Sequence, residues 1–203
     1  MHKQNLSSTR TRLLVQQALI ALVEKKALDR ISVQELCEKA LVSRATFYRL
    51  FADKYAVVKT IFDNALGEYS DEMGVLLYDE VSDITALMKE DRHEAAWARL
   101  FDHFATHSRL YSATFRSKGS AWFHVQMKKG LVKLFSHIIQ GRHTARSAAK
   151  IPVSIARSFL VSAFIGVVET WLDEGATHPS ARMASWFRRI FYKGYVGALS
   201  GLE

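Results

Sequence analysis

The chain has 203 residues and a formal net charge of +8; 49% of its residues are hydrophobic and 24% are charged. This balance is typical of a globular protein and excludes a disordered or fibrous one. Two prolines and ten glycines are few, which favours long helices over a turn-rich β architecture. With one cysteine, no apolar leader and no apolar run of about 20 residues, we expect a soluble cytoplasmic protein without a disulfide or a membrane span.

The charge is distributed unevenly along the chain. Residues 1–60 hold 11 Lys and Arg against 5 Asp and Glu, residues 61–102 hold 3 against 11, and residues 103–168 hold 10 and no acidic residue. A basic N-terminal block suggests a polyanionic partner. The acid-free block indicates either an anionic effector or bases that face the acidic block or solvent. The bases that would bind such an effector include Arg109, Arg116 and Lys128.

Helical periodicity runs through nearly the whole chain. We predict a first helix over residues 9–26 and a second over residues 33–40, with Ser32 as its N-cap and Glu35 completing a capping box. Ser43 repeats this device for a third helix, and Asp53 can cap a fourth. The fourth helix is predicted to run to about residue 77. Further helices are predicted at about 93–116, with a break near His107, and at 120–140, 153–174 and 180–199.

The fold class that follows is all-α. We expect a three-helix, helix-turn-helix unit over residues 1–52 and a helical-bundle body over residues 53–203 for effector binding and dimerisation.

The third predicted helix has two faces of different chemistry. Phe47, Leu50 and Phe51 form an apolar edge that must pack on the first two helices, while Arg44 and Tyr48 lie elsewhere. Two short helices, a tight turn and a basic exposed edge are typical of a motif whose second helix enters the DNA major groove, where arginine can pair with guanine. A three-helix core without a nucleic-acid role would explain the apolar edge, but not the basic block and the capped basic helix together.

The segment ISVQELCEKALVSRATFYRLFADKYAVV, residues 31–58, resembles the N-terminal signature of the TetR family of bacterial transcription regulators. The specific resemblance covers about residues 9–62, and a weaker one covers residues 159–187. It implies a homodimer that binds an operator and usually releases it when a small molecule enters the C-terminal body; such a dimer suits a palindromic operator. It also implies DNA contacts at Ser32, Ser43, Arg44, Thr46, Tyr48 and Lys54, to which we add Val33, Ala45 and Arg49.

Leu41 departs from the family pattern, which usually has glycine at this turn. If the turn needs a positive φ, leucine costs about 1–2 kcal/mol relative to glycine. Either Leu41 gains burial against the first helix, which we favour, or the second helix ends differently and the recognition helix is tilted.

The last two predicted helices are apolar nearly all round, which indicates burial on more than one side. A twofold interface between two copies of the chain would supply the missing cover. The residues predicted to form this dimer interface are Phe159, Ile165, Gly166, Trp171, Trp186, Phe187, Ile190, Phe191 and Gly194.

An effector pocket is predicted among the helices of residues 93–140. Aromatic residues at helical spacing are more often core than pocket, and both interpretations remain open. The candidate ligand-binding residues are Trp97, Phe101, Phe104, Arg109, Tyr111, Phe115, Trp122 and Phe123.

Other function classes find less support in the sequence. His103 and His107 have the spacing by which two imidazoles share a metal, but no third ligand is evident, so we predict no metal site. No nucleophile elbow, Gly-rich phosphate loop or cysteine pair is present, so we predict neither catalysis nor a cofactor. A repressor that responds to a ligand is the leading prediction. The alternatives are a transcriptional activator or a co-regulator without effector response and, with less support, an all-helical enzyme.

Overall fold

The computed structural model describes residues 2–77, 94–139 and 152–191, together with Gly194. Within these ranges the fold is all-α, as predicted, with nine α-helices and one 3-10 helix. The α-helices are α1 His2–Val23, α2 Val33–Ala40, α3 Arg44–Leu50, α4 Lys54–Leu77, α5 Glu94–Thr106, α6 Ser108–Phe115, α7 Ser120–Ile139, α8 Val153–Asp173 and α9 Ser180–Phe191.

The predicted helix bounds agree with the structure in most places. Helix α2 has the predicted bounds, and the break predicted near His107 separates α5 from α6. Helix α1 begins at His2 instead of residue 9, because the polar residues before its apolar stripe include no helix breaker. The 3-10 helix Leu28–Arg30 was not predicted, since three residues are too few to show a period. The part of the predicted last helix beyond residue 191 lies outside the described residues, apart from Gly194.

Residues 1–64 and 107–126 form one compact unit. In this unit α1 packs against α2, α3 and α6. Its core contains Leu19, Leu28, Leu36, Phe47 and Phe62, each with no exposed surface. The single cysteine, Cys37, lies in the same core, where burial raises the pKa of its thiol.

Residues 65–106 and 127–203 form the second compact unit. In its described part, α9 packs against α5 and α8. The core is aromatic: the ring centroid of Trp97 lies 5.6 Å from that of Phe135 and 5.2 Å from that of Phe187. Among the described residues, one segment, Ser154–Asp173 of α8, is long and apolar enough to cross a membrane, and 44% of its most apolar window is buried inside the chain.

The turn between α2 and α3 contains a left-handed residue at the position where the family usually has glycine. Leu41 has φ 55° and ψ 41°, and the N–H of Val42 donates to the carbonyl of Cys37 at 3.0 Å. This bond and the one from Leu41 N–H to the carbonyl of Glu38 define a Schellman motif, which glycine usually closes. The turn is therefore not rebuilt around leucine.

The explanation that we favoured for Leu41 is wrong, because its side chain is 92% exposed. In a Schellman motif the apolar contact with the helix is made by the residue after the left-handed one, which here is Val42. Leu41 consequently gains no burial to offset its backbone strain.

Candidate nucleic-acid interface

Serine side chains cap the N-termini of both helices of the motif, as predicted. The hydroxyl of Ser32 accepts a hydrogen bond from the N–H of Glu35, and that of Ser43 accepts one from the N–H of Thr46, both at 3.1 Å. The predicted capping box at α2 is incomplete, because the carboxylate of Glu35 pairs with Lys26 instead. These caps fix where α2 and α3 start and thus which residues their first turns present.

Helix α3 has one buried edge and one exposed edge. Phe47 has no exposed surface and Phe51 is 3% exposed, while Leu50 is half-buried and Tyr48 is 51% exposed. The guanidinium of Arg12, on α1, lies over the ring of Phe51 at 5.3 Å and donates to the carbonyl of Leu50. Of the predicted DNA contacts, Ser32, Ser43, Arg44, Ala45, Tyr48 and Arg49 are exposed, and Val33, Thr46 and Lys54 are half-buried.

A shallow concave surface lies where the end of α2 meets the start of α3. The amide of Gln34 donates to the carboxylate of Glu38 at 3.0 Å on this surface. Neither residue was predicted to belong to the site, because both read as solvent-exposed helix positions. The residues that line the surface are Gln34, Cys37, Glu38, Leu41, Val42 and Arg44.

The ammonium group of Lys54 is bound inside the chain. It donates to the carbonyls of Leu28 and Asp29 in the 3-10 helix at 2.7 and 3.1 Å, and to that of Ile31, the C-cap of this helix, at 2.8 Å. Burial lowers the pKa of Lys54, and the charge of Asp29 opposes this shift. Because Ser32 follows these carbonyls directly, Lys54 positions the start of α2; its contact with DNA stays a prediction.

Asp29 connects three segments that are distant in the sequence. Its carboxylate accepts hydrogen bonds from the hydroxyl of Tyr55 at 2.8 Å and from the backbone N–H of Lys118 at 3.1 Å. The Tyr55 bond is the main reason why the pKa of Asp29 is lowered, and burial is the main reason why the pKa of Tyr55 is raised. The ring of Tyr55 in turn packs on Gly119, where an added Cβ would lie 2.4 Å from the ring.

Gly119→Ala is expected to destabilise the protein by about 1–3 kcal/mol, because the new methyl group must displace a ring whose hydroxyl is held by Asp29. Gly67→Ala is the matched control. Gly67 lies in α4 with nothing within 4 Å of an added Cβ, so alanine should stabilise this helix by about 0.5–1 kcal/mol. Urea denaturation of both variants checks the prediction, which equal midpoints would contradict.

The eight candidate effector residues are distributed between the two compact units. Trp97, Phe101 and Phe104 have no exposed surface and pack with the other rings of the second unit. In the first unit, Tyr111 and Phe123 are buried and stacked on each other, at 5.9 Å. The other candidates in the first unit are half-buried or exposed: Phe115 is half-buried, Trp122 is 41% exposed, and the exposed Arg109 pairs with Glu24 at 3.1 Å.

The residues predicted to form the dimer interface fall into two groups. Ile165, Trp171 and Phe187 are buried within the chain itself, and the rings of Trp171 and Phe187 pack on Phe101. The side chain of Phe191 lies outside the described residues. The remaining candidates are exposed, namely Phe159 at 55%, Trp186 at 42%, Ile190 at 71%, Gly166 and Gly194. Ile155, which was not among the candidates, is 61% exposed.

His103 and His107 do not share an uninterrupted helix, since α5 ends at Thr106 and α6 begins at Ser108. Burial lowers the pKa of His107, which favours the neutral imidazole. Over the described ranges, no three His, Cys, Asp or Glu side chains lie together as ligands for a metal ion.

Two protein-family models match the chain. The model described as "Bacterial regulatory proteins, tetR family" matches residues 15–61. The model described as "Transcriptional regulator C-terminal region" matches residues 91–193, which is half of the chain.

Individual relatives agree with these matches. Over 73 residues, the chain is 29% identical to YxbF, an uncharacterized HTH-type transcriptional regulator of Bacillus subtilis (strain 168); the match covers 36% of this chain and 18% of that relative. The fatty acid degradation regulator FadR of Bacillus halodurans has a similar fold, with a TM-score of 0.64, 13% identity, and coverage of 91% of this chain and 95% of FadR. FadR of Bacillus subtilis in complex with stearoyl-CoA also has a similar fold, with a TM-score of 0.60 and 13% identity, and the match covers 94% of this chain and 99% of that FadR. At such identities the likeness concerns the fold.

Proposed function

Since the chain belongs to the TetR family of DNA-binding transcriptional regulators, we propose that it is a ligand-responsive repressor that binds a palindromic operator as a homodimer in the cytoplasm. The observation that carries the proposal is the exposed edge of α3. Arg44 and Tyr48 are exposed on a helix that is fixed by the buried Phe47 and capped by Ser43.

Each group on this edge suits one kind of DNA contact. The guanidinium of Arg44, at the first position of α3, is proposed to pair with guanine O6 and N7 in the major groove. Ala45 next to it has a small side chain and allows close approach. Ser43, Thr46 and Tyr48 carry hydroxyl groups, which are proposed to bind phosphate oxygens and set the register of the helix. The free N–H groups at the starts of α2 and α3 add to the attraction for phosphate.

The proposed dimer interface is supported by the apolar surface of α8 and α9. Ile155, Phe159, Trp186 and Ile190 are large apolar side chains with between 42% and 71% of their surface exposed. Burial of such side chains against a second copy of the chain would stabilise the dimer. A twofold dimer also matches an operator made of two half-sites related by symmetry.

The proposed effector site lies in the second unit. The indole N–H of Trp97 is buried and has no hydrogen-bond partner among the described residues. Buried donors normally have a partner, so an oxygen atom of a small molecule would satisfy this one. Because FadR of Bacillus subtilis was solved with stearoyl-CoA, acyl-CoA thioesters are the first compounds to test for operator release.

Operator selection from a randomised DNA duplex library tests the DNA assignment. The wild type should enrich a palindrome, and its affinity should fall steeply with salt concentration. Arg44→Ala should relax the preference at one base pair of each half-site and cost about 1–3 kcal/mol there. Arg99→Ala removes the same charge from an exposed position on α5 and is the control.

Different results of this experiment contradict different parts of the proposal. If the wild type enriches no sequence, the chain is not a sequence-specific regulator. If Arg44→Ala retains the base preferences of the wild type, as Arg99→Ala should, Arg44 does not read a base. If no small molecule releases a genuine operator, the alternative of a regulator without effector response gains support.

A further inference from the structure

Leu41 combines two unfavourable properties that the fold does not explain. Its exposed fraction, 92%, is the highest among the large apolar side chains of the described residues. Its backbone is in the left-handed conformation, which L-residues with a Cβ rarely adopt. Glycine would avoid both the strain and the exposure, and a contact outside the chain would explain the leucine.

The surroundings of Leu41 indicate where that contact lies. The residue is two positions before Ser43, the N-cap of α3, and it shares one concave surface with Arg44. On the same surface Gln34 and Glu38 are hydrogen-bonded to each other. Leu41 is thus an exposed apolar group beside the arginine that we assign to base recognition.

DNA offers one apolar group in the major groove, the C5-methyl group of thymine. The other major-groove edges are hydrogen-bond donors or acceptors, and the phosphates are charged. We propose that Leu41 contacts a thymine methyl group in each half-site of the operator, next to the base pair read by Arg44. This inference depends on the proposed function, because it presupposes that α3 enters the major groove.

Replacing thymine by uracil removes only the C5-methyl group and therefore tests the contact directly. The thymines of the selected operator are replaced by uracil one position at a time, in both half-sites together. The affinities of the wild type, Leu41→Ala and Leu41→Gly for each operator are measured by fluorescence anisotropy. Burial of one methyl group corresponds to roughly a fourfold change in affinity for each half-site. Replacement of the contacted thymine in both half-sites should therefore weaken the wild type roughly 16-fold and leave both variants unchanged.

Val125→Ala is the matched control, because it shortens an apolar side chain on α7 that is 49% exposed. This variant should show the same uracil sensitivity as the wild type. Leu41→Gly serves as a check on folding, because glycine suits the left-handed turn and should retain the wild-type circular dichroism spectrum.

Two results would overturn the thymine contact while leaving the proposed function intact. The first is that no uracil replacement lowers the affinity of the wild type more than it lowers the affinity of Leu41→Ala. An operator with no thymine near the base pair read by Arg44 would have the same meaning. The other is an equal loss of affinity by Leu41→Ala for all sequences, which would place the leucine on the sugar-phosphate backbone. Failure of the wild type to select any operator would overturn the proposed function and the contact together.

Discussion

The double variant Phe159→Glu, Ile190→Glu should be a monomer that binds the operator at least about 100-fold more weakly than the wild type does. Both side chains are more than half exposed in the single chain, at 55% and 71%, so glutamate can be accommodated there without disturbing the fold. In a dimer the same positions would bury four unpaired carboxylates, which costs far more than the lost apolar contacts. A monomer binds one half-site and loses the advantage of two linked contacts.

Sedimentation equilibrium and operator titration check this prediction, with Val125→Glu as the control for a new exposed carboxylate on a helix. The control should remain a dimer with unchanged operator affinity. Binding of the double variant to an isolated half-site should equal that of the wild-type protomer, which distinguishes a lost interface from a damaged α3. A double variant that is still dimeric would show that α8 and α9 do not form the interface.

The second large effect is expected at Lys54. Lys54→Met retains an apolar stem of similar length but leaves the carbonyls of Leu28, Asp29 and Ile31 without their shared donor. Hydrogen bonds from a charged donor contribute more than neutral ones, so we expect a loss of about 2–4 kcal/mol in the free energy of unfolding. Because these carbonyls precede Ser32, the start of α2 should also shift, and DNA binding should weaken for all sequences alike.

Lys59→Met is the control for Lys54→Met. Lys59 is also half-buried and forms an ion pair with Asp63 one turn away on the same helix, a type of pair that contributes about 0.3–0.5 kcal/mol. Urea denaturation should therefore separate the two variants clearly. Equal midpoints would show that water replaces the ammonium of Lys54 at little cost. A change in the salt dependence of DNA binding by about one counterion, without a change in stability, would instead favour a direct phosphate contact.

The local features of this fold could be predicted because they depend on short sequence patterns. Apolar spacing identified the helices, and serine before an apolar run identified the N-caps Ser32 and Ser43, whose hydrogen bonds are present. The buried edge of α3 at Phe47 and Phe51 followed from the same spacing. Each of these features is decided within a few residues of the chain.

Features that depend on distant residues could not be predicted in this way. The bond between Asp29 and the N–H of Lys118 joins positions 89 residues apart, and no local pattern indicates it. Lys54 was assigned to DNA alone because the sequence does not reveal its three carbonyl partners, 23 to 26 residues earlier. Apolar spacing showed that Trp171 and Phe187 would be buried, but not that their own chain would bury them.

The buried Cys37 has a practical consequence for experiments on this protein. The residue is 3% exposed and burial raises the pKa of its thiol, so little of the reactive thiolate is present at neutral pH. A cysteine introduced at an exposed position, such as Val125, should therefore react with a maleimide dye or a spin label far faster than Cys37 does. Distances between two labelled protomers, with and without DNA, could then be measured in a protein that retains its native cysteine.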